Sequence, residues 1–285
     1  MNKILIAIIL LLSILIGCKK DSSTDNVSSA SNKDVIVYIA NNEIYKMYSD
    51  TVLSIQLTND GRSKKEIAIN KDKNKIAYLD QDGIPEIIDT QGNFVDKLSN
   101  YKGATCLRWA KNENTLYFIY NNKITFYGTA LPIPNTSPII SGTFASIDIS
   151  SNNDLAFVIN SGSYSYLGYI LNDTYKTSKY TYSYSDFENV KWSIDNLYLY
   201  YYDTYYDELM YSSISYLYNE YTELSSSSSQ YAFSKNEDFI LYCYDKSYYG
   251  YYELFMYDIG YSYGGYNNKL DGGNQNISNL IYVDM

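Results

Sequence analysis

Five segments of the chain fall on one pattern: EIAINKDKNKIAYL (Glu66–Leu79), CLRWAKNENTLYFI (Cys106–Ile119), SIDISSNNDLAFVI (Ser146–Ile159), NVKWSIDNLYLYYY (Asn189–Tyr202) and QYAFSKNEDFILYC (Gln230–Cys243). Each is a short apolar strand, a polar turn rich in Asn or Asp, and a second apolar strand. The residue closing the first strand is Asn70, Ala110, Ser150, Ser193 or Ser234, at steps of 40, 40, 43 and 41 residues. A unit of this length with several short strands cannot bury both faces of its own sheet. It must stack against copies of itself, which is the signature of a β-propeller.

A third strand recurs downstream in each unit: NEIYKMY (Asn42–Tyr48), PEIID (Pro85–Asp89), NKITFYG (Asn122–Gly128), LGYIL (Leu167–Leu171), DELMYSSI (Asp207–Ile214) and YELFMYDI (Tyr252–Ile259). A fourth, poorer strand ends in Leu and a small polar residue, as in Leu57-Thr58, Leu98-Ser99 and Leu224-Ser225. Asp34–Thr58 supplies a second, third and fourth strand without a first, and Asn276–Met285 supplies a first strand with nothing after it. The pattern predicts an all-β fold over residues 34–285, a six-bladed β-propeller of four-stranded antiparallel blades. The C-terminal strand is expected to join the N-terminal three and close the ring, which leaves no unpaired sheet edge.

The runs AINKDKNKIAYL, PEIIDTQG and DKLS, with AFSKNEDFILYC and YELFMYDIG, resemble the TolB-type six-bladed propeller repeat across Asp34–Met285. That repeat carries a Ser-Pro-Asp-Gly turn, an Ile-Tyr strand and a Leu-Thr ending. Here the turns are Asn-rich instead, a replacement suited to the positive φ that tight turns demand. The resemblance implies a cell-envelope propeller.

The N-terminus MNKILIAIILLLSILIGCKK reads as an address. Its apolar run from Ile4 to Ile16 is short for a span of about 20 residues and right for a signal-peptide core. It ends in Leu15-Ile16-Gly17-Cys18, which resembles a bacterial lipobox. The resemblance implies cleavage after residue 17 and diacylglycerol on the Cys18 thiol; an uncleaved N-terminal anchor is the alternative. Residues 18–33 are polar and aperiodic and read as a flexible tether. The expected place is the cell envelope, lipid-anchored, at the outer membrane, with the periplasmic or surface face left open.

The chain holds 37 tyrosines and no histidine, with a formal charge of −10. The acidic balance and the lack of a basic patch argue against a nucleic-acid partner. Tyrosine fits both a sheet-to-sheet core and a recognition surface. Alternation in Leu197–Tyr202 puts Leu197, Leu199 and Tyr201 on one face and Tyr198, Tyr200 and Tyr202 on the other. Tyr205, Tyr206, Tyr248, Tyr249, Tyr251, Tyr261, Tyr263 and Tyr266 fall in turns or late loops and form the candidate binding face, since rings there give contact area at low entropic cost.

Without histidine no Ser-His-Asp triad exists, and no zinc spacing, phosphate loop or nucleophile elbow is present. No cofactor is expected, and no metal: Asp80–Glu86, DQDGIPE, carries Asp-x-Asp-Gly but has Gln91 where a calcium loop needs its bidentate glutamate, so a hairpin turn at Gly83 is expected. Cys106 and Cys243 are expected as buried thiols, and Trp109 and Trp192 as packing residues at equivalent repeat positions. Arg108 and Lys191, one residue earlier, alternate to the opposite face, toward the channel or toward solvent and salt bridges. The expected function is a membrane-anchored, non-catalytic module that binds a protein or glycan at the envelope. The alternatives are a propeller lyase or hydrolase acting on glycans with carboxylate and tyrosine chemistry, and a purely structural envelope protein.

Overall fold

The computed structural model describes residues 35–48, 54–111, 114–128, 140–171, 174–177, 186–225, 231–233, 239–246, 251–258, 267–271 and 283–284. Beyond residue 217, side chains are described for Tyr231 and Ile240. The chain divides into Met1–Asn32 and Lys33–Met285, and all described residues belong to the second unit. The signal segment, Cys18 and the tether lie outside the described residues. Among the described residues, no helix is long and apolar enough to cross a membrane.

Strands β1 (Val35–Ala40), β2 (Glu43–Tyr48) and β3 (Ile55–Gln56) open the fold. The second sheet is β4 (Lys64–Ile69), β5 (Lys75–Asp80), β6 (Pro85–Asp89) and β7 (Phe94–Lys97), and the third is β8 (Thr105–Trp109), β9 (Leu116–Tyr120) and β10 (Lys123–Tyr127). The fourth is β11 (Thr143–Ile149), β12 (Leu155–Ser161), β13 (Tyr164–Leu171) and β14 (Thr174–Thr177). The fifth is β15 (Phe187–Trp192), β16 (Tyr198–Asp203), β17 (Glu208–Ser213) and β18 (Tyr216–Ser225). The sixth is β19 (Tyr231–Phe233), β20 (Phe239–Lys246), β21 (Tyr251–Asp258) and β22 (Asn267–Asp271), and β23 (Val283–Asp284) comes last. Every sheet from the second to the sixth is an antiparallel meander in chain order. The third has three strands among the described residues, and residues 129–139, where a fourth would fall, lie outside them. The first sheet runs β23-β1-β2-β3, with Val35 opposite Asp284 and Ile36 opposite Val283.

The turn chemistry read from the repeat is in place. Asn70 Oδ1 accepts the amides of Asn74 and Lys75 at 3.0 and 2.8 Å. Ser150 Oγ accepts those of Asn152 and Asp154, both at 3.0 Å, and Ser193 Oγ accepts those of Leu197 and Tyr198 at 3.1 and 2.9 Å. Ala110 has no such acceptor; its turn is tied instead by Asn114, which accepts from Asn70 Nδ2 at 2.5 Å and donates to Asp72 at 2.8 Å. At the predicted hairpin, Asp80 Oδ1 accepts from Asp82 and Ile84. Gly83 there takes φ +71°, and a Cβ would lie 3.0 Å from the Ala104 carbonyl oxygen, so glycine answers both backbone and space.

Each pair of successive sheets from the first to the sixth shares an apolar cluster. Val37, Ile39 and Ile44 meet Ile67, Ile69 and Tyr78 between the first and second. Ala77, Leu79 and Ile87 meet Leu107, Trp109 and Phe118 between the second and third. Tyr117 and Ile119 meet Ile147, Ile149 and Phe157 next, then Val158 and Tyr169 meet Trp192, Leu199 and Tyr201, and Tyr200, Tyr202 and Leu209 meet Tyr231 and Ile240. Every sheet except the end ones is therefore buried on both faces, which is why its strands read as nearly unbroken apolar runs. The alternation expected for Tyr198–Tyr202 holds: Leu199 and Tyr201 face the fourth sheet, and Tyr200 and Tyr202 the sixth. Leu197 departs from it. It precedes β16 in the Ser193 turn and is 52% exposed, because the Ser193 hydroxyl captures its amide.

A polar network ties the first two sheets. Lys64 Nζ, buried, donates to Glu43 at 3.1 Å and to Asp60 at 2.6 Å, while Glu86 is held by Lys97 at 2.5 Å, Tyr78 at 2.5 Å and Arg62 at 3.3 Å. Burial pushes the Asp60 carboxyl up, but bonds from Lys64 and Arg62 outweigh it and hold the group at about 2.

Candidate functional site

The first strands converge: β4 lies against β8, β8 against β11, β11 against β15, and β19 against β23. Four of these strands carry a break in register at the same repeat position, between Lys65 and Ile67, Thr105 and Arg108, Phe144 and Ser146, and Glu188 and Lys191. Such bulges re-aim side chains and leave backbone groups without a ladder partner. Here the residue that opens each of the first four aligned repeat segments takes up the following sheet. Glu66 accepts the amides of Cys106 at 2.9 Å and Leu107 at 3.0 Å. Cys106 Sγ accepts the Ile147 amide at 3.2 Å, Ser146 Oγ accepts the Val190 amide at 2.9 Å, and the Asn189 carbonyl accepts the Tyr231 hydroxyl at 2.5 Å. Glu66, Cys106 and Asn189 adopt φ of 44°, 57° and 50° to do this, a costly region for any side chain and mildest for Asn.

Two residues further along the second, third and fourth segments stand Arg108, Asp148 and Lys191, on the face opposite Trp109 and Trp192. The tryptophans pack as expected, Trp109 donating to the Ala68 carbonyl at 3.2 Å and Trp192 meeting the Tyr169 ring edge-on at 5.9 Å. Arg108 is 9% exposed. Its Nη1 donates to the Leu107 carbonyl at 2.7 Å, and its Nη2 reaches Asn189 Oδ1 at 3.5 Å, past the intervening β11. Lys111 makes a parallel reach, to the Trp192 carbonyl at 3.2 Å and to Asp148 at 3.8 Å. Asp148 also accepts the Trp192 amide at 2.8 Å. Lys191 Nζ stands 5.7 Å from the centre of the Tyr231 ring. Burial first, then Arg108 and Lys111 against the opposing Asp148, pull the Lys191 amine down to about 7. Burial likewise pushes the Cys106 thiol up, so Cys106 is the inert, buried thiol expected. Cys243 pairs with Leu254 along the β20–β21 ladder.

The predicted tyrosine face divides. Tyr205 and Tyr206 sit together on the β16–β17 turn, 57% and 47% exposed, with ring centroids 4.9 Å apart in an edge-to-face pair. Asp203 Oδ1 shapes that turn by accepting both their amides, and Asp207, at φ 60°, takes the Tyr202 hydroxyl. Tyr251 opens β21 opposite Lys246. Tyr248, Tyr249, Tyr261, Tyr263 and Tyr266 lie outside the described residues, as does Cys18. The convergence of Arg108 with Lys111, Asp148, Asn189 and Tyr231 was missed by sequence reasoning. Its signal was present: Arg108, Asp148 and Lys191 occupy one column of the aligned segments, and Glu66, Cys106, Ser146 and Asn189 another.

No protein-family model and no curated protein sequence matches the chain. Among solved structures, TolB from Acinetobacter baumannii superposes with a TM-score of 0.63 at 12% identity, over 85% of this chain and 65% of that one. A chain of the nidogen/laminin complex gives a TM-score of 0.61 at 7% identity, over 84% of this chain and 92% of that one. The class is thereby set: an all-β chain of antiparallel sheets with a TolB-like, β-propeller-type fold. This chain spans 65% of the TolB chain's length, and the likeness is one of fold.

Proposed function

We propose that this is a membrane-anchored lipoprotein of the cell envelope whose six-bladed propeller is a non-catalytic scaffold for a protein or glycan partner. The pairing of β23 with β1 supports ring closure by the two ends of the unit. The observation that carries partner binding is the Tyr205–Tyr206 pair, two large rings held out on a turn whose backbone is fixed by Asp203. Rigid aromatics on a braced turn suit recognition. One of the fold neighbours is a nidogen/laminin complex, an assembly of proteins.

A glycan-active enzyme is the second reading, favoured by the meeting of Asp148, Glu66, Tyr231, Arg108 and Lys191. Against it, each of these carboxylates already holds backbone amides of a neighbouring strand, and a general acid must instead be free to give up a proton. One experiment separates the readings: capture from cross-linked envelopes with the wild-type chain, Cys18→Ala and a Tyr205→Ala/Tyr206→Ala double variant, with a fatty-acid label on each. The proposal expects label on all but Cys18→Ala, and a partner lost from the double variant while its melting temperature is unchanged. Label retained by Cys18→Ala would refute the lipid anchor. An undiminished partner in the double variant would refute the tyrosine face.

A further inference from the structure

We propose that Arg108, Lys111 and Lys191 form a binding site for a carboxylate-bearing ligand where the first strands of the third and fifth sheets face each other. The site stands on β8, β11 and β15 and does not depend on the tyrosine face or on lipidation.

The guanidinium supplies the first argument. Nη1 of Arg108 is spent on the Leu107 carbonyl. The Nε–H is shut off from water with no acceptor in reach among the described residues, and the Nη2 contact to Asn189, at 3.5 Å, is at the limit of a hydrogen bond. Nε and Nη2 are the two donors of the side-on fork that a carboxylate takes bidentately. An unanswered donor at this depth is unfavourable, and an entering carboxylate would answer it by drawing the side chain off its long Asn189 contact.

Charge supplies the second. Around this point the described residues bring together the cations Arg108, Lys111 and Lys191 and the anions Asp148 and Glu66. The chain as a whole carries a net charge of −10, so attraction of an anion by these cations would be local and would not come from a general field. Lys111, with its side chain 39% exposed, marks the side from which a ligand enters.

The test is calorimetry and thermal shift on the full chain in detergent micelles, at about pH 6 and constant ionic strength, with sodium glucuronate, N-acetylglycine, sodium phosphate and glucose as probes. One or both carboxylates should bind saturably and raise the melting temperature, and glucose should not. Preference for glucuronate identifies a sugar acid, and preference for N-acetylglycine a peptide C-terminus. Arg108→Gln and Lys191→Gln should each weaken binding about tenfold or more. Lys111→Gln, at a side chain 39% exposed, should weaken it severalfold. Affinity should fall as pH rises through about 7, where Lys191 gives up its proton, and Lys191→Gln should flatten that profile. Arg108, Lys111, Asp148, Cys106 and Tyr231 face the amine. The proposal is overturned if neither carboxylate binds, if phosphate alone binds, or if all three variants bind as the wild type does.

Discussion

At the scale of single residues, the first letter of each of the first four repeat segments does a task that its chemistry does not advertise. Glu66, Cys106, Ser146 and Asn189 share neither charge nor size, so the column looks unconstrained in the sequence. Their common property is an acceptor placed one strand over: a carboxylate, a thiol sulfur, a hydroxyl and a carbonyl each receive a hydrogen bond from the following sheet. Glu66 is the strongest case, since it serves two amides. Glu66→Ala should destabilise the protein by about 3 kcal/mol, because both amides lose a charged acceptor. Glu66→Gln should lose about half of that, because its amide oxygen can still serve one donor. Urea unfolding checks both, and equal stability for Glu66→Ala and the wild type would exclude the relay. Arg108 and Lys191 were visible as charges opposite the tryptophans, and Asp148 shares their column of the aligned segments. Lys111 joins them only because its side chain crosses from the third sheet to the fifth, a relation that no spacing rule contains.

At the scale of strands and turns, the sequence was informative wherever one rule dominated. The serine and asparagine that close each first strand predicted their turns because a short side-chain acceptor caps two amides there. Ala110 breaks that rule, and Asn114 compensates from the far side of the same turn. The start of β16 was misplaced by one residue for the same reason: apolar alternation put Leu197 in the strand, whereas the Ser193 cap holds it in the turn. The tyrosines of Asn196–Tyr218 answer to both readings, and position decides which. Tyr201 is fully buried between the fourth and fifth sheets, against Phe187 at 4.7 Å between ring centroids, while Tyr205 projects from the next turn. Tyr201→Ala should cost about 3–5 kcal/mol, and Tyr205→Ala no more than about 0.5 kcal/mol. Thermal denaturation of the two variants distinguishes core from surface. Equal losses would contradict the assignment of these rings to different roles.

At the scale of the whole unit, repetition made the architecture legible. A period near 41 residues fixes four short strands per sheet, and the apolar runs fix burial of both faces, so successive sheets must stack. The missing first strand at one end and the surplus one at the other pointed to their pairing, and β23 lies beside β1, while β19 approaches β23 from the sixth sheet. That junction is the centre of the account, because the proposed closure of the ring would hold the converging first strands, and with them the Arg108 cluster, in place. The register puts Val35 opposite Asp284, and directly paired antiparallel residues lie about 4.5–5.5 Å apart at Cα, within the range a disulfide spans. A Val35→Cys/Asp284→Cys variant of the full chain, oxidised and mapped by peptide mass spectrometry, therefore tests closure directly. The account predicts one intramolecular cross-link joining the peptides that carry positions 35 and 284, and a melting temperature above that of the reduced protein. Two thiols that stay separately alkylatable under the same oxidation would contradict it.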